Sequence, residues 1–180
     1  MVGEIIMAKI IYKSGHYGEN RLKHIEGIWI RLFNGRNALI YPKYSEQPLL
    51  ESIFIPECDI KTEDEIKALK KMSNYQETSD FCRFDSSAAK FVRQFKSEHF
   101  DQFSLPTLLV AMEIVDQKEE IDELARTIGG ADLLRDFNCC DIWSCSRYND
   151  KLGWIVASSF GFADKDYLCG PGLAVPTILY

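Results

Sequence analysis

From Cys139 to Gly161 the chain reads CCDIWSCSRYNDKLGWIVASSFG, two tryptophan-bearing apolar runs around a polar turn. This run constrains the fold more than any other. An indole ring brings a large apolar surface and an N–H that needs a partner, so two of them on paired strands anchor a hairpin in a core. Trp143 and Trp154 are therefore read as scaffold. A strand pair of this kind is expected to bury one face and display the other. The displayed part would be the turn Arg147–Lys151 and the aromatic-acidic stretch after Gly161.

The rest of the chain places helices in the middle and strands at both ends, which indicates an α+β fold. Expected N-terminal strands are Ile5–Lys13, Gly27–Phe33 and Asn37–Tyr41. Asn34-Gly35 joins the last two as a type I′ hairpin turn, and Pro42 ends the second. Gly15–Ile25 reads as a loop, and Leu49–Ile55 as a further short strand closed by Pro56. Thr62–Met72 carries a capping-box pattern, Thr62 with Glu65, and reads as a helix. Ser73–Arg83 lacks periodicity and reads as a loop. Asp85 or Ser86 can cap a helix over Ser87–Glu98, with Ala88, Phe91, Val92 and Phe95 as its buried stripe. Thr107 caps a helix to Val115, and Lys118–Ile128 forms another that Gly129-Gly130 terminates. Ile142–Ser146, Trp154–Ser159 and Leu173–Leu179 are the late strands. With no repeat and no clear linker, one domain over 1–180 is expected, with strands and a hairpin in 1–60 and a core in 85–180.

At 180 residues and 46% hydrophobic, the chain can bury a sizeable core. Its formal net charge of -6 argues against a nucleic-acid binder, which needs basic surface to neutralise phosphates. Lys67, Lys70 and Lys71 read as a solvated helix face. No stretch approaches the ~18 apolar residues of a membrane helix. Glu4 and Lys9 interrupt the first apolar run, so no signal peptide is expected and the chain is placed in the cytoplasm as synthesised.

Six cysteines are present: Cys58, Cys82, Cys139, Cys140, Cys145 and Cys169. They form no C-x-x-C pair, and His16, His24 and His99 lack zinc-finger spacing. The expectation is buried free thiols with no metal and no cofactor. Asp141, Asp150, Asp164 and Asp166 lack calcium-loop spacing and read as solvated or structural carboxylates. Cys139, Cys140 and Cys145 are the thiols to consider for nucleophilic chemistry, which requires a base or cation nearby. Gly170-Pro171-Gly172 is a turn, with no phosphate-binding signature after it.

The ordered set Leu105-Pro106-Thr107, Gly129-Gly130, Trp143-Ser144, Gly153-Trp154 and Gly161 resembles the C-type-lectin-like domains of bacterial and phage-derived proteins. That family carries Trp-Arg before its Leu-Pro-Thr, where this chain has Phe103-Ser104. It often has a glutamate where Val110 stands, and its last strand ends in Arg-Pro where Val175-Pro176 stands. The resemblance implies two main helices packed on a twisted, mostly antiparallel sheet, here with an N-terminal β-hairpin extension. It also implies a non-catalytic binding role through the late strands and loops, as in receptor-binding proteins diversified by retroelements. Formylglycine-generating-type thiol enzymes share the fold, and a structural component of a phage-like particle is a further alternative.

The expected contact residues are Arg147, Tyr148, Asn149, Asp150, Phe160, Phe162, Asp164, Asp166 and Tyr167. Aromatic planes offer rigid contact area and the polar tips offer hydrogen bonds, a combination suited to a protein or glycan ligand. The same residues admit a plainer reading, with Asn149-Asp150 as a turn and Phe160 and Phe162 in the core.

Overall fold

The computed structural model describes residues 7–50, 63–70, 75–100, 102–133 and 140–180. Among them the strands are β1 (Ala8–Tyr12), β2 (Ile25–Arg31), β3 (Asn37–Ile40) and β4 (Ser45–Pro48), followed later by β5 (Ile142–Arg147), β6 (Leu152–Val156), β7 (Ala163–Tyr167), β8 (Pro171–Ala174) and β9 (Thr177–Leu179). Between the two groups lie α1 (Glu65–Leu69), α2 (Tyr75–Arg83), α3 (Ser87–Arg93), α4 (Leu108–Asp116) and α5 (Lys118–Ile128). The fold is α+β. None of the helices is long and apolar enough to cross a membrane.

The strands make two sheets, one ordered β1-β2-β3-β9 and the other β4-β8-β5-β6-β7. Every pairing is antiparallel except β5 with β8. The expected strand Leu173–Leu179 breaks at Val175-Pro176. Pro176 has no N–H to give a ladder, its carbonyl accepts from Tyr41 N–H at 3.0 Å, and the chain passes there from one sheet to the other. β8 then pairs with β4 and β9 with β3. The N-terminal strands are thus woven into both sheets through the C-terminal ones, not hung on as an extension.

The five-stranded sheet is a middle layer, covered on both faces. One face carries Ile142, Trp154, Val156 and Leu173, packed with α4, α5 and the strand β2. The other carries Trp143, Cys145, Ile155 and Ala174, packed under α2 and α3 through Phe81, Ala88, Ala89 and Val92. Every residue of β5 is buried. The hairpin therefore does not display a face, as its alternation suggests, but divides its two tryptophans between two cores. Ser144 and Ser146 are fully buried with them.

The helix boundaries follow from local chemistry. Asp64 caps α1 with its carboxylate accepting from Ile66 and Lys67 N–H; Thr62 and Met72 lie outside the described residues. Ser86 Oγ accepts from Ala89 N–H, and Thr107 Oγ1 from Val110 N–H, as the N-cap rule requires. The described part of Ser73–Arg83 is helix, not loop. Its weak apolar stripe suffices because Phe81 buries against α3. Asp85 takes φ 65°, while Asp85 N–H bonds Cys82 O and Ser86 N–H bonds Phe81 O. That is a Schellman stop, so α2 ends at Arg83, three residues before Ser86 caps α3. α3 itself ends at Arg93, short of Glu98.

Asn34-Gly35 does turn the chain, but not as type I′. That turn needs positive φ at both central residues, and here Gly35 alone has it, at 80°. Gly35 N–H bonds Leu32 O and Leu32 N–H bonds Arg36 O, both at 2.9 Å, a type I turn closed by a left-handed glycine. In the segment Leu49–Ile55, Leu49 and Leu50 are buried beyond the end of β4, and 51–55 lie outside the described residues.

Candidate functional site

The nine residues expected to form one surface do not meet. β6 separates two groups. Arg147–Asp150 form the turn before it, opposite Asp166 and Tyr167, which pair with Gly153 and Leu152. Phe160 and Phe162 belong to the turn after it, near Asp164, which pairs with Ile155. The Leu152–Tyr167 and Val156–Ala163 pairs are four residues apart, or roughly 13 Å at the rise of a strand.

The first group is largely occupied with its own turn. Arg147 is only 4% exposed, and its Nη2 donates to Asn149 O at 3.3 Å and to Asp150 Oδ1 at 3.4 Å. Asn149 Oδ1 accepts from Lys151 and Leu152 N–H, each at 2.9 Å, so the side chain is the turn's own bracket. Tyr148 stands edge-on to Trp154 with centroids 5.4 Å apart, and Lys165 Nζ lies 4.6 Å from its ring centre. These contacts correct the expectation that Arg147 and Asn149 are displayed for a ligand.

Asp164 and Asp166 also have a structural task. β7 is the last strand of its sheet. Leu168 N–H bonds Lys151 O and Ala157 N–H bonds Phe162 O, which sets the even-numbered residues toward β6. The N–H groups of Lys165 and Tyr167 therefore face the open edge. Asp164 Oδ1 accepts from Lys165 N–H at 2.8 Å and Asp166 Oδ1 from Tyr167 N–H at 2.7 Å. Charged side chains that also engage the edge donors block strand-to-strand association. The double variant Asp164→Ala/Asp166→Ala is expected to self-associate in a concentration-dependent way. Sedimentation velocity checks this, and an unchanged distribution at high concentration would remove the edge-guard role. The Asp141 carboxyl, at the start of β5, is pushed above the usual carboxylate range by burial and by the charges of Asp166 and Asp164, against a hydrogen bond from Ser158 N–H.

The second group is open. Phe160 is 77% and Phe162 51% exposed, and their rings stack with centroids 5.6 Å apart and planes 19° from parallel. They are not core. The turn that carries them closes with Phe160 and Gly161 N–H both donating to Ala157 O, and Gly161 takes φ 72°. Beside Phe160 lies a cleft of about 250 Å³ lined by Met112, Val115, Asp116, Lys118 and Ser159. Lys118 Nζ donates to Ser158 O at 3.0 Å and fixes this turn to the α4–α5 junction.

A third exposed phenylalanine, at the tip of the β2–β3 hairpin, was not singled out by the sequence reading. Phe33 is held by its N–H, which donates to Glu113 Oε1 at 2.8 Å. Gln117 Nε2 reinforces this by donating to Arg31 O at 2.9 Å and to Glu113 Oε2 at 3.0 Å. Both hairpin tips are thus bonded to the end of α4 and the start of α5, and both present phenylalanine to solvent. The only sequence signal for Phe33 is an aromatic residue directly before a turn dipeptide.

Among the described residues, Cys140 and Cys145 do not assemble a reaction centre. Cys145 is buried, and Cys140 Sγ lies 3.1 Å from Glu46 Oε1, a carboxylate that opposes thiolate formation. Cys58 and Cys139 lie outside the described residues. His99 is engaged elsewhere: Ser14 Oγ is 3.2 Å from its Nε2, and Glu26 Oε1 is 3.1 Å from its Nδ1. The order serine–histidine–carboxylate is that of a hydrolase triad. Its setting is not, because Ser14 N–H donates to Glu98 Oε2 at 3.1 Å, which puts negative charge where an oxyanion would form. Buried Glu26 also accepts from Ser97 Oγ and Glu98 N–H, so the cluster pins the segment after α3 to β2.

Among the described residues, ligand atoms suited to a metal converge in His16–Glu19–His24 and in Glu26–Glu98–His99. Neither spacing matches a metal motif. The turns of the β1–β2 loop and the contact between β2 and the 97–99 segment bring them together. No family model, no curated protein and no solved structure matches this chain.

Proposed function

We propose that the chain is a non-catalytic binding module, a divergent C-type-lectin-like domain, that takes a protein or glycan ligand at the α4–α5 junction. The observation that carries the reading is the solvent-facing Phe160–Phe162 stack beside a polar-rimmed cleft. A soluble chain leaves two stacked phenylalanines exposed at a cost in solubility, and such patches mark recognition sites. The plane suits the apolar face of a sugar ring or an apolar peptide side chain, while Asp116 and Lys118 offer hydrogen bonds at its border. Three elements of the family pattern fall at element boundaries, which supports this reading. Leu105-Pro106-Thr107 leads into the cap of α4, Gly129 takes the left-handed conformation that stops α5, and Gly161 does so in the β6–β7 turn.

The test is a glycan array and a displayed-peptide library, each probed with the wild-type protein, Phe160→Ser/Phe162→Ser and Asn149→Ala. The expected result is capture on one of the two, lost in the phenylalanine variant and kept in Asn149→Ala. Capture that survives Phe160→Ser/Phe162→Ser overturns the site, and capture on neither overturns the binding reading.

A further inference from the structure

The β1–β2 loop brings two of the chain's three histidines onto one carboxylate. His16 Nδ1 lies 3.1 Å from Glu19 Oε1 and His24 Nδ1 lies 2.7 Å from Glu19 Oε2. The imidazole rings are nearly parallel, with centroids 4.3 Å apart and an interplanar angle of 18°. All three ligand atoms fall within 4.8 Å of one another. In a tetrahedral zinc site with bonds of about 2.0–2.1 Å, ligand atoms stand roughly 3.3 Å apart, so side-chain adjustment within the 4.8 Å cluster would bring the three to its corners.

The backbone is set independently of the side chains. Lys13 N–H bonds His24 O, His16 N–H bonds Lys13 O, Glu19 N–H bonds His16 O and His24 N–H bonds Arg21 O, all between 2.9 and 3.1 Å. Gly15 and Gly18 supply the positive φ angles, 79° and 82°, that the turns need. The ligand-bearing residues are therefore held before any ion arrives, which lowers the ordering cost of binding.

A second observation points the same way. His24 Nδ1 is shielded from solvent and makes no hydrogen bond, although a carboxylate oxygen lies 2.7 Å away. A buried ring nitrogen that close to an anion without a directed hydrogen bond is poorly served by the protein alone. A cation ligated by both atoms would satisfy both, the 2.7 Å contact widening toward the roughly 3.3 Å of a zinc site. The adjacent Glu26–Glu98–His99 group is a different case, since the Glu26 oxygens already accept from Ser97, Glu98 and His99.

We propose that His16, Glu19 and His24 form a binding site for one divalent first-row transition ion, zinc being the best fit to two imidazoles and one carboxylate. Calcium and magnesium are disfavoured, because they require a shell of oxygens that one carboxylate does not provide. Three protein ligands leave a fourth position for water or for a group from a bound partner.

The test is calorimetric titration of the chelator-treated full chain with zinc sulfate, alongside His16→Gln/His24→Gln, Glu19→Gln, His99→Gln and Cys169→Ser. The expected result is one zinc per chain. Its affinity should fall at least about tenfold in the first two variants, since even losing an outer-shell partner costs that much, and be kept in the last two. Equal binding by His16→Gln/His24→Gln, loss in His99→Gln or Cys169→Ser, or no zinc binding by the wild type overturns the site. Cobalt(II) added to the unmutated protein gives a readout that does not depend on the variants folding. Its paramagnetism should broaden the ring resonances of His16 and His24 before those of His99, and uniform or absent broadening counts against the proposal.

Discussion

Replacing Trp143 by alanine is expected to cost about 3–5 kcal/mol, the range for removing a large aromatic side chain from a core. Trp143 is fully buried and lies among Leu49, Leu105, Ile155 and Leu168 beneath α2 and α3. Its Nε1 donates to Gln47 O at 2.9 Å, so truncation also leaves a β4 carbonyl without its partner. In a chain of this size each kcal/mol shifts Tm by about 2–4 °C, which gives a drop of roughly 6–20 °C. Trp143→Phe separates the contributions, because it keeps much of the packing and removes the hydrogen bond. Its cost should fall to about 1–3 kcal/mol. Urea denaturation measures both. A loss under 1 kcal/mol for the alanine variant would mean that the ring does not tie the sheet to its helical cover.

The sequence made the tryptophans legible as anchors, but not the fact that they anchor in opposite directions. Alternation within each strand does not relate Trp143 to Trp154; the Trp143–Ile155 register does, and only the fold shows that both faces are covered. The cover on the Trp143 face is α2 and α3, and α2 fell in a segment whose polar composition reads as loop. Phe81 buries into the core and holds it there, and two aromatic residues six positions apart, Tyr75 and Phe81, give no helical period. The caps were easier. Ser86 and Thr107 act where their side chains predict, because an N-cap is a contact across three residues and depends on nothing distant. β7 was missed for the opposite reason. Its Ala-Asp-Lys-Asp-Tyr has no apolar alternation, since an edge strand answers to the open ladder beside it more than to a core.

The candidate site shows the same division. The aromatic and polar residues around the hairpin read as one set in the sequence, yet β6 runs between them and assigns them different tasks. Asn149 closes a turn, Asp164 and Asp166 occupy edge donors, and Phe160 with Phe162 remain exposed. The histidines lay in a loop with no motif spacing. Their convergence depends on two left-handed glycines and a ladder of turn hydrogen bonds, which are visible only once the chain is folded.

Gly172→Ala is expected to be strongly destabilising for so small a substitution. A Cβ built at Gly172 would lie 2.4 Å from Trp143 Nε1 and 2.7 Å from Cδ1 and Cε2, far inside contact distance. The ring cannot swing away. Near its other end, a Cβ at Gly153 would meet Trp143 Cζ3 at 3.0 Å, Leu49 Cδ2 at 2.9 Å and Leu168 Cδ2 at 3.1 Å, so that side is already filled. Gly153 and Gly172 are thus the two walls of a slot one indole thick. Relief requires β8 to move, and β8 is held by β4 on one side and β5 on the other. Overpacking of this kind costs about 1–3 kcal/mol and occasionally more; backbone confinement on both sides puts the expected value near the upper end, about 3 kcal/mol. The origin of the loss is tested by a double-mutant cycle. In the Trp143→Ala background the added methyl enters a cavity instead of a ring, so its penalty should nearly vanish, with a coupling of about 1–3 kcal/mol between the two positions. Additive losses in the cycle would show that Gly172 is needed for its backbone and not for the room it gives Trp143.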